Sequence, residues 1–237
     1  MFTQNISFKN FLIRKKNLAV KKNLNLILNE KDQVIHSLSK FYKDSFNKKN
    51  IKNFNKKLDY RIIGMGGSTL GAQAIYDFLK KKIKKNFIFV DNLNAFENKK
   101  TKKNLNNLII SKSGNTIETI VNANILVKKK DKNLFITEKK ESYLSLLAKE
   151  LKAEVVDHND YIGGRYSVLS EVGMLPAELM GLNIKKFKQL NNLIKNKKFI
   201  DSLVDNVSAT LFYINQKKFN SIVLNYDSSS ENLFKWY

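Results

Sequence analysis

Cysteine is absent from this 237-residue sequence, which therefore holds neither a disulfide framework nor a thiolate metal site. No run of about eighteen apolar residues occurs, so no transmembrane helix is expected. The first 22 residues also lack the continuous apolar segment that a secretory signal needs. From these absences we expect a cytoplasmic protein with no membrane partner.

Arginine is scarce although the formal net charge is +22. It occurs only as Arg14, Arg61 and Arg165, whereas the lysines are spread along the chain among many asparagines. Proteins that read the edges of bases rely on arginine. The charge therefore indicates a compositional bias and a solvated, lysine-rich surface, and we expect no nucleic-acid partner.

Glycine and proline are both missing from residues 1–57. Apolar residues recur there at helical spacing between Leu24 and Tyr42, which predicts two helices with a break near residues 29–32. We expect this segment to pack as an N-terminal helical flank on the rest of the chain.

Short apolar runs alternate with helical segments from Leu58 onward. This alternation is typical of a parallel sheet covered by helices on both faces, so the predicted fold class is α/β with a doubly wound, five-stranded parallel sheet. The predicted strands are 60–63, 87–90, 108–110, 134–136 and 155–156. The predicted helices are 70–79, a short one within 94–103, 117–127 and 143–151.

A polar loop follows the third predicted strand and opens a helix. Three hydroxyls, one amide and one ammonium fall within Ser111-Lys112-Ser113-Gly114-Asn115-Thr116. Such groups donate hydrogen bonds, and the start of a helix adds backbone N–H groups and a positive dipole end. The loop therefore predicts a site for an anion such as phosphate.

A glycine-rich stretch, Gly64-Met65-Gly66-Gly67-Ser68, follows the first predicted strand. It is neither a dinucleotide fingerprint, because Thr69 replaces the last glycine, nor a P-loop, because Ala72-Gln73 follow Gly71. The glycines either make only a tight turn or let a ligand touch the backbone, with the Ser68 hydroxyl as a donor.

The first and third strands are neighbours in a flavodoxin-like strand order, 2-1-3-4-5. If the sheet has this order, the loops after both strands line one crevice at its carboxyl edge. Two loops suited to anions in one crevice favour a small phosphorylated ligand.

The third notable stretch runs from Gly163 to Ser170 and contains Arg165. It is either a flexible connection with an incidental arginine or a functional loop. In a chain that uses lysine almost everywhere, arginine at this position indicates that its planar, bidentate geometry is needed.

Taken in order and spacing, the three motifs resemble those of the glucose-6-phosphate isomerase family, from about Leu58 to the C-terminus. The first two also resemble the wider group of sugar isomerase (SIS) domains. The resemblance implies an SIS-type sheet and four segments. These are an N-terminal helical flank (1–57), a first SIS domain (58–160), a helical connection (161–217) and the start of a second SIS domain (218–237).

The resemblance also implies the roles of the site residues. The side chains of Ser68, Ser111, Ser113 and Thr116 would hold the phosphate of the substrate, with Gly67 and Lys112 beside them. Arg165 would be catalytic and would stabilise the negative charge of the enediolate.

The activity implied is the interconversion of glucose 6-phosphate and fructose 6-phosphate through an enediol, as in glycolysis and gluconeogenesis. A carboxylate is the natural base for the proton transfer, and neither a metal nor an organic cofactor is expected. We interpret both His36 and His158 as structural or solvent-facing.

The sequence departs from the family pattern in one respect, since the glutamate base, the histidine and the C-terminal lysine of the family have no counterparts. Residues 222–226 resemble the first strand of a second SIS domain, and Ser228 with Glu231 resembles the start of a helix. We expect an incomplete form of an isomerase that is a homodimer at full length. The alternative is a stand-alone SIS module that senses sugar phosphates without catalysis.

Overall fold

The computed structural model describes residues 17–29, 33–47, 51–52, 54, 59–93 and 105–236. The helix predicted within 94–103 and the helix break near 29–32 lie largely outside these residues. No helix within the described ranges is long and apolar enough to cross a bilayer.

Five parallel strands form the central sheet, in the order β2-β1-β3-β4-β5. This arrangement confirms the predicted fold class, and it has the flavodoxin-like strand order on which the predicted crevice depended. The strands are β1 (Asp59–Gly64), β2 (Asn86–Val90), β3 (Asn106–Ile110), β4 (Lys132–Thr137) and β5 (Glu154–Asp157).

Helices follow the strands as the apolar spacing predicts. After β1, β3 and β4 come α3 (Leu70–Phe78), α4 (Ile117–Leu126) and α5 (Tyr143–Glu150). The segments before and after this region form α1 (Leu18–Asn29), α2 (Gln33–Ser37), α6 (Glu171–Leu179), α7 (Leu190–Ile194), α8 (Lys197–Asn215) and α9 (Glu231–Trp236).

Alternate residues of each strand point to opposite faces of the sheet, and helices pack on both faces, so both are buried. On one face Ile62, Leu108 and Ile136 pack with residues of α3 and α6. On the other face Ile109 and Phe135 pack with residues of α4 and α5. Helices on both sides make the sheet doubly wound and leave the loops at its edges to carry chemistry.

A polar network crosses three strands inside the sheet. Arg61 is buried and donates to the Leu126 carbonyl over 2.9 Å and to the Asn107 side chain over 3.4 Å. The Asn107 amide donates in turn to the Asn133 side chain over 2.8 Å. Burial lowers the pKa of Arg61. Arg61 thus ties β1 and β3 to the end of α4 and belongs to the framework.

The chain divides into two compact units, residues 1–42 with 188–224 and residues 43–187 with 225–237. In the first unit α1 contacts α8, and Val20, Val204 and Ala209 are buried. The second unit contains the whole sheet. The domain boundaries given by the resemblance remain a prediction.

The strand predicted at residues 222–226 is not formed. Residues 218–227 adopt neither helix nor strand, and Ile222, Leu224 and Tyr226 are exposed. A strand depends on a neighbour for its hydrogen bonds, and no described strand lies beside this segment. The helix predicted after Ser228 does form as α9, but it is preceded by a cap from Asp227, whose carboxylate accepts from the Ser229 N–H over 2.9 Å.

Candidate functional site

The candidate site lies at the carboxyl edge of the sheet. Gly64, the last residue of β1, is in register with Ile110, the last residue of β3. The loops that follow these two strands therefore begin side by side, which supports the crevice predicted from the strand order.

The loop after β1 is in direct backbone contact with the third motif. A Cβ atom placed on Gly67 would lie 2.4 Å from the carbonyl carbon of Gly164. No side chain fits in that space, so Gly67 serves the approach of one backbone segment to another. Neither interpretation of this glycine from the sequence anticipated the contact.

Ser167 holds the third motif in this position. It is fully buried, and its hydroxyl lies 2.7 Å from the Gly164 oxygen and 3.4 Å from the Gly67 oxygen. Val168 fills the space beside Gly71 and Gly173, where a Cβ would meet it at 2.6 Å and 2.1 Å respectively. Sequence reasoning did not single out Ser167 as a residue that joins the two motifs.

The loop after β3 is ordered by its own hydroxyl groups. The Ser111 and Thr116 side-chain oxygens are 2.9 Å apart, and the Ser111 oxygen accepts from the Gly114 N–H over 3.2 Å. The Ser113 oxygen accepts from the Asn115 N–H over 3.2 Å. Because Ser113 uses its oxygen in this bond, its hydroxyl hydrogen remains able to donate to a ligand.

This loop is also fixed to the start of α5. Gly114 has a φ of 68°, and a Cβ there would lie 2.1 Å from the Ser142 hydroxyl oxygen. The Asn115 side chain accepts from the Tyr143 N–H over 2.9 Å, and the Gly114 carbonyl accepts from the Leu144 N–H over 3.0 Å. The hydroxyl-bearing loop is therefore held by several contacts to the start of α5.

Helix α4 begins directly after this loop without a side-chain cap. Thr116 occupies the N-cap position, but its side chain accepts no hydrogen bond from the helix. The N–H groups in the first turn of α4 therefore receive no cap from the Thr116 side chain, and the helix start carries a partial positive charge. Together with the Ser113 and Thr116 hydroxyls, this end of α4 can bind an anion.

Lys112 contacts the segment that precedes the third motif. Its ammonium contacts the Asp160 carbonyl oxygen and lies 3.7 Å from the Glu138 carboxylate. Lys112 thus connects the second motif to the segment before the third motif.

Arg165 and Ser68 remain available to a ligand. Arg165 is exposed and lies in a short 3-10 helix, Gly164–Leu169. Ser68 is half-buried at the end of the loop after β1. Within the described ranges, no residue forms a hydrogen bond or ion pair with the side chain of either residue.

A polar cleft of about 530 Å³ lies at the carboxyl ends of β4 and β5. A hydrogen bond from Lys140 lowers the pKa of Glu138, and burial lowers the pKa of His158. His158 is buried and His36 is exposed, in keeping with their interpretation as structural and solvent-facing. The cleft is lined by Ser45, Glu138, Lys139, Lys140, Asp157, His158, Asn159 and Asp160.

Across the described ranges, no group of three or more side chains is suited to hold a metal ion.

Comparison with known proteins gives matches at the level of sequence and of fold. The family model described as phosphoglucose isomerase matches residues 12–228. The glucose-6-phosphate isomerase of Acholeplasma laidlawii is 34% identical over 206 residues, which cover 74% of this chain and 47% of that protein. The enzyme of the same name from Methanocaldococcus jannaschii is 30% identical over 204 residues, covering 78% of this chain and 50% of that protein. The chain thus spans about half the length of these curated relatives.

A solved structure shares the fold. The crystal structure of a hypothetical protein from Thermus thermophilus matches with a TM-score of 0.65 and 18% identity, covering 92% of this chain and 57% of that one. This likeness concerns the arrangement of the backbone.

The contact between Gly67 and Gly164 can be tested by a pair of substitutions. Gly67→Ala should lower the free energy of unfolding by about 1–3 kcal/mol, because the new methyl group has no space against the Gly164 backbone. Gly163→Ala is the matched control, since Gly163 has a φ of −71° and a Cβ there meets only the Tyr166 ring, at 3.6 Å. Denaturant unfolding measures both variants. Equal stability of the two variants would contradict the contact.

Proposed function

The chain belongs to the phosphoglucose isomerase family, and on that basis we propose that it acts in the interconversion of glucose 6-phosphate and fructose 6-phosphate. The reaction moves a proton between C2 and C1 of the open-chain sugar through an enediol. We assign to this chain the binding of the phosphate and the stabilisation of the enediolate charge.

The single observation that carries the proposal is the uncapped start of α4 beside the hydroxyl-bearing loop. A phosphate placed there would accept hydrogen bonds from Ser113, from Thr116 and from the first-turn N–H groups. Ser111 would act on the phosphate through Thr116, whose hydroxyl it orients. Ser68 and the Gly67 backbone would approach from the neighbouring loop, with Lys112 beside them.

Arg165 is assigned to the reacting end of the sugar. Its guanidinium has no described partner, so it can meet the two oxygens of an enediolate with parallel hydrogen bonds. A fixed positive charge near the enediolate oxygens stabilises them more than it stabilises the neutral substrate, which is the condition for catalysis. We assign no general base among the described residues.

A stand-alone sensor is the less favoured alternative. The family model extends from residue 12 to residue 228 and so includes the third motif as well as the sheet. Following the resemblance, we also propose that the active assembly is a cytoplasmic homodimer.

The phosphate assignment predicts the effect of removing two hydroxyls. The double variant Ser113→Ala and Thr116→Ala should bind glucose 6-phosphate at least about a hundredfold more weakly, since each lost bond to a charged oxygen costs about 1.5–3 kcal/mol. Ser221→Ala, at an exposed position, is the matched control and should leave binding unchanged. Titration calorimetry measures the dissociation constants. Unaltered binding by the double variant would contradict the assignment of the phosphate to the start of α4.

If Arg165 stabilises the enediolate, replacing it should weaken binding of a ligand with negative charge at the reacting carbons more than that of a neutral ligand. Arabinonate 5-phosphate carries a carboxylate that resembles the enediolate, whereas arabinitol 5-phosphate has a neutral hydroxymethyl group in its place. Arg165→Lys should weaken binding of the first ligand about tenfold, because lysine cannot form the paired hydrogen bonds, and should change binding of the second less than about twofold. Phosphorus NMR titration measures both. Equal weakening of both ligands would contradict the assignment.

A further inference from the structure

Two buried titratable residues lie on either side of the third motif and have no part in the proposed chemistry. His158 follows β5, and Glu171 is the first residue of α6, with no exposed surface. Between them runs the segment that carries Arg165, here named the arginine loop (residues 159–170).

Glu171 connects the two ends of the arginine loop. Its carboxylate oxygen Oε1 accepts from the backbone N–H of Asn159 over 2.9 Å and lies 3.9 Å from Nδ1 of His158. The same Nδ1 atom lies 2.9 Å from the Asn159 carbonyl oxygen. The first residue of the loop is therefore bound to the residue that directly follows the loop.

Other contacts hold the loop at points beyond this connection. The Lys112 ammonium contacts the Asp160 carbonyl, and Gly164 packs on Gly67. The Ser170 hydroxyl donates to the Ser167 carbonyl over 2.7 Å. Arg165 is exposed in the middle of the loop, so its position depends on how firmly the two ends are held.

Stability alone does not explain why the Glu171 carboxylate is buried. A carboxylate taken out of water costs free energy unless it is hydrogen-bonded, and an apolar side chain of similar size would avoid that cost. Its place in the first turn of α6 offsets part of the cost through the helix dipole. The carboxylate makes the hydrogen bond to the Asn159 N–H, which an apolar residue could not make.

We propose that Glu171 is a positioning residue that holds the arginine loop closed, so that Arg165 meets the charge developing on the substrate. This inference rests on the proposed function, because it takes Arg165 as the residue that contacts the enediolate. Glu171 itself touches no substrate and acts through the backbone of the loop.

The test uses the 237-residue chain and the ratio of its affinities for arabinonate 5-phosphate and arabinitol 5-phosphate. Glu171→Met keeps the length of the side chain but removes the acceptor. Glu171→Gln is the matched control, because it keeps an acceptor oxygen at the same place. Both substitutions are made in the unaltered chain and in an Arg165→Ala background, and phosphorus NMR titration gives the affinities.

Glu171→Met should lower the affinity ratio about tenfold in the unaltered chain and less than about twofold in the Arg165→Ala background. Glu171→Gln should leave the ratio within about threefold. The affinity for arabinitol 5-phosphate should stay within about twofold throughout, which shows that the phosphate site is folded.

Two results would overturn the inference. One is an unchanged ratio, whether or not both ligands bind more weakly. The other is the same loss in the Arg165→Ala background, which would mean that Glu171 does not act through Arg165. If Glu171→Met does not fold, Glu171→Asp takes its place, since the shorter side chain withdraws the acceptor while keeping a helix-start carboxylate. An unchanged ratio in that variant equally overturns the inference.

Failure of the inference and failure of the proposed function give different results. If Arg165→Ala alone lowers the ratio but Glu171→Met does not, only the positioning role is lost. If Arg165→Ala leaves the ratio unchanged, or the unaltered chain binds neither ligand, the proposed function fails and the inference falls with it.

Discussion

The close contact between the Gly67 and Gly164 backbones is the constraint on which the candidate site depends. Only glycine at position 67 leaves room for it, and the buried Ser167 hydroxyl beside both carbonyls keeps the two segments together. This contact joins the loop after β1 to the loop that carries Arg165. The register of Gly64 with Ile110 then places the loop after β3 alongside. Three motifs that are far apart in sequence thus meet at one edge of the sheet.

The chemistry of that edge follows from groups that the fold leaves without partners. Most polar groups of the loop after β3 bond within the protein, and these bonds fix its shape. Among the described residues, the start of α4, the hydroxyl hydrogen of Ser113 and the guanidinium of Arg165 have no partner, and we propose that they face a ligand. Donors at the start of α4 and the guanidinium of Arg165, which belongs to the third motif, would together suit a ligand with a phosphate at one end and developing charge at the other.

Local patterns in the sequence were sufficient for much of this structure. Apolar runs predicted all five strands, whereas the strand order 2-1-3-4-5 was only assumed from the sequence, and the structure has that order. The hydroxyl-rich loop was predicted as an anion site because its donors are consecutive in sequence, and that role stays a prediction. The contact of Gly67 with Gly164, the role of Ser167 and the bond from Asn159 to Glu171 could not be predicted, because each joins residues through the tertiary fold. The strand predicted at residues 222–226 failed for a related reason, since a strand needs a partner that its own sequence does not contain.

A crystal structure of the chain with bound glucose 6-phosphate would test the central claim most directly. The account predicts the phosphate at the start of α4, within hydrogen-bonding distance of the Ser113 and Thr116 hydroxyls, and the carbonyl end of the sugar beside Arg165. A phosphate bound instead in the polar cleft at the ends of β4 and β5, or a sugar directed away from Arg165, would contradict it.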